Sequence, residues 1–384
     1  MKEGWEIKTI KDVAQVVGGS TPKTNVDEYW GGSNYWVTPA ELDGSKYISK
    51  TARTITDEAV AKTNLNLLPT GTVLLSSRAP IGKVCITQTP MYCNQGFKNL
   101  VCNNLLYNEF AYYYLIHSVD YLQSLGTGAT FKEISKKVVE NVSIPIPPLA
   151  EQERIVAELD LLSSVIEKKK AQLNEYDQLA QSIFYDMFGD PITNEKGWEV
   201  KKLGEVSVEK LSYGSGASAI PFNGSIRYIR ITDIKDNGEL NDDSVSPDVY
   251  DEKYLLNEGD ILFARSGATV GKTYCHHSKY GKCLYAGYLI RLIPDTKKVL
   301  PSYVFGFTKT AYYKDFIRMA QNAVAQPNIN AKQYSSLSIC VPPLALQQEF
   351  AEKIEAIEKQ KALVQASIAE TETLFNSRMD YYFN

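Results

Sequence analysis

No stretch of this chain approaches eighteen consecutive apolar residues, so no membrane-spanning helix is expected. The opening Met1-Lys-Glu-Gly-Trp5 carries no apolar signal region, and a cytoplasmic protein is the expectation. Cysteines at 85, 93, 102, 275, 283 and 340 include no C-x-x-C pair, which points to reduced thiols and not to a disulfide framework. Histidine is scarce. Cys275-His276-His277 with Cys283 nearby is the best metal candidate, but neighbouring strand residues point to opposite faces, so no metal is expected there. His117 stands alone on a tyrosine-rich stretch and reads as a packing residue.

Nucleotide and cofactor motifs are missing as well. Gly267-Ala-Thr-Val-Gly-Lys-Thr273 has three residues between its glycines, whereas a loop that wraps phosphates needs four. Its counterpart Arg78-Ala-Pro-Ile-Gly-Lys-Val84 lacks both the first glycine and the hydroxyl residue. The acids after Pro247 (Asp248, Asp251 and Glu252) crowd one loop and suit a solvated turn. Both Pro-Pro pairs run into Leu, and no Asn-Pro-Pro-Tyr motif of amino-methyltransferases occurs. No catalytic constellation emerges. A net charge of −4 also excludes a simple basic DNA-coating protein.

What the chain does have is a repeat. Ile144-Pro-Ile-Pro-Pro-Leu-Ala150 returns as Ile339-Cys-Val-Pro-Pro-Leu-Ala345, and each leads into about forty residues without Pro or Gly. In the first copy Ile155, Leu159, Leu162, Ile166, Leu173, Tyr176, Ala180, Ile183 and Met187 fall on alternating steps of four and three, interrupted at Lys169. Shifted by 195, the series becomes Phe350, Ile354, Ile357, Lys361, Ile368, Thr371, Phe375, Arg378 and Tyr382, with Val364 in the slot of Lys169. A seam repeating every 3.5 residues describes one helix packed lengthwise on another, each roughly 60 Å long. Phe188-Gly-Asp-Pro191 supplies a stop.

The repeat extends beyond the helices. Gly4-Trp5-Glu-Ile-Lys-Thr-Ile10 resembles Gly197-Trp198-Glu-Val-Lys-Lys-Leu203, and both segments carry a Gly-Lys turn at Gly82-Lys83 and Gly271-Lys272. Short strands are predicted at 84–88, 97–102, 273–276 and 288–293. Helices capped by Asn108 and Ser302 are predicted to run through Leu122 and Met319. The order is domain 1–143, helix 144–190, domain 191–338, helix 339–384, with net charges of +1, −5, +3 and −3. The acid sits on the helices, so any affinity of the domains for nucleic acid must be local or supplemented by a partner's charge.

The two half-repeats, the Pro-Pro-Leu-Ala helix starts, the Trp-Glu-x-Lys domain starts and Phe188-Gly-Asp-Pro191 together resemble the specificity (S) subunits of type I restriction–modification enzymes, over essentially the whole chain. The resemblance implies an α+β protein. Two mixed α/β target-recognition domains in pseudo-two-fold arrangement would be separated by two long antiparallel helices forming a coiled coil. It also implies a non-catalytic adaptor reading a bipartite, gapped duplex. Two methyltransferase subunits would bring S-adenosylmethionine, and restriction subunits would bring ATP and magnesium. No cofactor is expected in this chain.

Base reading needs paired donors and acceptors: Arg or Lys for guanine, Asn or Gln for adenine. The candidates are Arg78, Lys83, Asn94, Gln95, Lys98, Thr130 and Lys132 in the first domain. In the second they are Arg230, Arg265, Ser266, Lys272, Gln326, Asn328 and Asn330, and phosphate clamps are expected among both sets. The rival readings are a nuclease or NTPase built on Gly267–Thr273, and a scaffold that uses its helices only to pair.

Overall fold

In the computed structural model, which describes residues 4–384 apart from 79, 129–131 and 323–327, the chain forms two compact units. One comprises residues 1–168 and 368–384, the other residues 169–367. The divisions fall inside two uninterrupted forty-residue helices, Leu149–Phe188 and Leu344–Phe383. Each unit therefore contains the first half of one long helix and the second half of the other.

In the first unit, Glu6–Thr9 pairs antiparallel with Ser143–Ile146, which closes the domain's two ends on each other before the first long helix starts. The second unit repeats this with Glu199–Lys202 on Ser338–Val341. Between these closures lie a five-stranded sheet in the first unit and a four-stranded sheet in the second. The strand Val73–Leu75 pairs antiparallel with Val84–Thr87 on one side and Lys98–Cys102 on the other; Ile261–Ala264 does the same with Thr273–Cys275 and Leu289–Leu292. A parallel pair accompanies each sheet: Trp30–Val37 with Tyr92–Cys93, and Ile226–Ile229 with Lys282–Tyr285.

The tyrosine-rich helices differ from the expectation. Asn108–His117 follows an N-cap at Tyr107, and the Asn108 side chain donates to the Gly71 carbonyl (2.9 Å), so it does not cap. This helix breaks at Ser118 and resumes as Val119–Ser124. In the second unit, Pro301 takes the first helical position, where its missing N–H costs nothing, so the helix is Pro301–Phe307 after Leu300. Thr308 and Thr310 turn their hydroxyls onto the Phe305 and Phe307 carbonyls, and a new helix runs Ala311–Asn322.

The Gly-Lys turns pack against these broken helices. Gly82 (φ +99°) and Gly271 (φ +88°) adopt left-handed backbone; a Cβ there would lie 2.8 Å from Val119 and 2.6 Å from Ile317. Only glycine satisfies both conditions at once.

Each core is sealed by long-helix residues. Ile155, Leu159, Met379, Tyr382 and Phe383 join Val73, Leu100 and Phe110 in the first unit. Phe184, Phe188 and Phe350 join Ile261, Phe263 and Tyr303 in the second. Within the first unit the helix halves run antiparallel, with the Arg378 guanidinium on Glu158 (2.5 Å) and the Tyr382 hydroxyl on the same carboxylate (2.6 Å). Within the second, Lys169 donates to the Ser367 hydroxyl (2.5 Å) and Lys361 to Asp177 (2.9 Å). Of the seam residues, Ile155, Leu159, Ile166, Phe350, Ile357 and Ile368 are buried, and Leu162, Leu173, Ile354 and Val364 are half-buried. Lys361 is buried too, its charge met by Asp177, Glu358 and Glu239. A buried polar residue in such a seam fixes register at some cost in stability.

Candidate nucleic-acid interface

The strand pairings set a residue-by-residue correspondence between the units, because Val73 faces Leu100 and Ile261 faces Leu292. Counting outward along those strands places Ser77 and Gly96 of the first unit where Arg265 and Tyr288 stand in the second. The backbone bonds agree. Ser77 N donates to Gly96 O (2.7 Å) as Arg265 N donates to Tyr288 O (3.1 Å). Ile134 N reaches Ser77 O (2.9 Å) as Ile329 N reaches Arg265 O (2.8 Å). The next residue caps a short helix in both cases, Ser135 accepting from Val138 N and Asn330 from Gln333 N. Gly19 and Gly214 leave no room for a Cβ against the Asn94 and Ala286 carbonyls. One backbone frame is thus built twice, from three loops in each unit.

The side chains on that frame differ. In the first unit, Arg78 lies beside Glu133 through a backbone bridge. Lys98 reaches Glu133 (3.4 Å) and the Ser77 hydroxyl (3.2 Å). Asn94 turns its carbonyl oxygen to Gly96 N (2.8 Å), and exposed Gln95 is bonded to Thr21. Lys132 is exposed at the same cluster. In the second unit the Arg265 guanidinium stacks 4.7 Å from the centre of the Tyr213 ring, and its Nε donates to Asn328 Oδ1 (3.3 Å). Ser266 is bridged to Asn328 by backbone bonding, and Tyr288 stands largely exposed alongside.

Other sequence-selected residues have internal partners. Lys83 Nζ donates to the Pro39 and Leu42 carbonyls (3.1 and 2.8 Å); Lys272 Nζ donates to Ile234 O (3.3 Å) and pairs with Asp236 (2.9 Å). The Gly-Lys lysines are therefore tethers, each drawing the sheet to a neighbouring turn. Arg230 forks onto buried Asp233 (2.7 Å) and reaches Asp243 (3.2 Å). Asn330 closes a capping box with Gln333. These four side chains help to hold the frame through these internal partners. Thr130 and Gln326 lie outside the described residues.

Sequence reasoning missed Tyr213, Tyr288 and Thr21. The signal was there: Tyr213 sits in Leu211-Ser-Tyr-Gly-Ser-Gly216, a turn-rich context in which an aromatic has little core to join.

The thiols and imidazoles considered for a metal lie elsewhere. Burial pushes the Cys275 thiol up to about 12 and Cys283 up to about 11, which leaves them protonated. Burial also lowers His276 to about 4, while its Nδ1 meets the Tyr274 hydroxyl (3.1 Å). Among the described residues no group of three or more His, Cys, Asp or Glu is arranged to hold a metal ion. No helix of the described structure is long and apolar enough to cross a membrane.

A doubled α/β frame with polar loops, joined through long paired helices, defines a two-domain specificity protein. The chain belongs to the family described as the type I restriction modification DNA specificity domain, whose model matches residues 2–175 and again 195–373. It is 31% identical over 371 residues to the type I restriction enzyme MjaIX specificity subunit of Methanocaldococcus jannaschii, covering 90% of this chain and 85% of that one. It is 23% identical to the EcoKI specificity subunit of Escherichia coli, over 93% of this chain and 82% of the relative. Among solved structures, the S subunit of a type I system from M. genitalium superposes with a TM-score of 0.55 at 14% identity, covering 99% of this chain and 96% of that one. A chain from a structure of complex assembly and conformational transition in the type I system gives 0.62 at 19%, covering 100% and 98%.

Proposed function

We propose that this chain is the non-catalytic reader of a type I restriction–modification assembly. Each domain recognises one part of a split duplex sequence, and the long helices set the gap between the parts. Methyltransferase subunits dock on the chain and bring S-adenosylmethionine and the chemistry at adenine. Restriction subunits, where present, bring ATP and magnesium. The observation that carries this reading is the frame built twice with different side chains on it: one way of approaching a duplex, with two texts to read.

The long helices support the docking of a partner present in two copies. Leu149 and Leu179 of the first helix are exposed, and so are Leu344 and Leu374, which stand 195 residues later on the second. An exposed leucine is unremarkable alone; the same two places left open on both helices suit one partner surface used twice.

Mapping adenine methylation across the host genome with and without this gene tests the proposal. A single gapped motif losing its marks is the expected result. An unchanged methylation map would defeat it.

A further inference from the structure

Within the second unit's loop cluster, one side chain is held as a base reader must be. Arg265 is fixed from three directions. Its backbone is tied at both polar groups, N–H to Tyr288 and C=O to Ile329. Its guanidinium lies on the Tyr213 ring at 4.7 Å, and its Nε is oriented by Asn328 Oδ1 at 3.3 Å. The supports are themselves anchored: the Tyr213 hydroxyl accepts from Ala331 N (3.1 Å), and Asn328 is bridged to Ser266. Arg318, by contrast, meets Asp315 on an exposed helix turn, and Arg230 and Arg291 are spent on the buried carboxylates of Asp233 and Asp260.

What remains open on Arg265 is its terminal pair of nitrogens, which have no partner among the described residues. Among the described residues no carboxylate neutralises the head, and the position that holds Glu133 in the first unit holds Asn328 here. A planar fork, still cationic and already ordered, matches the O6 and N7 acceptors of guanine in the major groove. A phosphate contact from the same fork would position the domain without selecting a base, so the two are told apart by whether the preference at one position changes. Ordering the side chain in advance removes much of the entropy cost that a free arginine would bear on binding.

We propose that Arg265, stacked on Tyr213 and oriented by Asn328, specifies one guanine in the half-site read by the second domain. In the first domain Ser77 occupies the place equivalent to Arg265, beside Lys98 and Glu133. Its half-site is accordingly read by different chemistry. The inference rests on the reading given under Proposed function.

The test is methylation mapping in the native host carrying R265Q, with R265K and, on the exposed helix turn, R318Q alongside. R265Q should weaken the preference for guanine at one position roughly ten- to a hundred-fold, with the other half-site and the gap unchanged. R265K should keep a diminished preference for guanine, and R318Q should leave that position as it is. An unaltered motif in R265Q overturns the assignment. If R265Q abolishes methylation altogether, R265K decides: a motif restored but weakened at one guanine supports the contact. Silence from both variants counts against it, since a folding role then accounts for the loss. If the unmodified gene directs no gapped motif at all, the broader reading fails, and the failure is distinguishable from that of Arg265.

Discussion

His276 is 2% exposed, and its lowered pKa gives the fold a pH dependence whose direction can be stated. Burial is the main cause; His277 and Arg291 push the same way and Glu258 opposes them. With a pKa of about 4 in the fold against 6.5 unperturbed, the ring takes up a proton more readily in the unfolded chain. Its stabilising contribution is whole above pH 6.5, shrinks as the pH falls, and is lost below about 4. Urea midpoints at pH 7 and pH 5 should therefore separate more in the native protein than in H276Q. Parallel pH profiles would show that another group sets the slope. At this scale the sequence was a partial guide. Residue type alone marked Arg78, Arg265 and Asn328 as candidate readers, and equally marked Lys83, Lys272, Arg230 and Asn330. Lys83 and Lys272 differ in that a carbonyl or carboxylate from another loop already occupies the side chain, while Arg230 and Asn330 are taken up by partners three residues on, Asp233 and Gln333. Ile234, Asp236, Pro39 and Leu42 come from loops that no local pattern connects to Lys272 and Lys83.

At the scale of elements, the least conspicuous repeated residue holds each long helix in place. Gln152 and Gln347 are fully buried. Gln152 donates to the Leu105 and Pro147 carbonyls (2.9 Å each) and accepts from Tyr107 N (2.8 Å). Gln347 donates to the Lys298 and Pro342 carbonyls and accepts from Leu300 N (2.7 Å). Each amide staples the helix start to the loop leading into the tyrosine-rich helix. Q152A or Q347A strands those groups without partners, and each should cost about 2–4 kcal/mol in urea unfolding, with faster amide exchange at Tyr107 or Leu300 respectively. An unchanged midpoint would mean that water replaces the amide. The sequence showed the two helix starts as unlike, Glu151-Gln-Glu153 against Leu346-Gln-Gln348, and the shared middle residue carried no obvious signal because burial is not written in a glutamine. The helices themselves were legible, since forty residues without a breaker leave few alternatives. The break at Ser118 was not, because no proline or glycine stands beside it, and the break at Thr308, two residues after Gly306, depends on threonine hydroxyls turning back onto carbonyls.

For the whole molecule, the repeat of 195 residues was the most informative feature of the sequence, because it joined patterns that separately describe any soluble protein. It located two strands of each sheet (84–88 and 97–102, 273–276 and 288–293), the Gly-Lys turns and the seam, while the side chains presented on the doubled frame required the structure. In the proposed function the long helices are the ruler of a split DNA target, and their length is open to direct change. Seven residues inserted into both helices at facing positions, beside Lys169 and Ser367, preserve the seam's period and add about 10 Å of helix. Methylation mapping of this variant should return both half-sites unchanged, with a gap longer by about three base pairs, since ten base pairs span roughly 34 Å. A gap of the original length, or half-sites that change while the gap does not, would contradict the account.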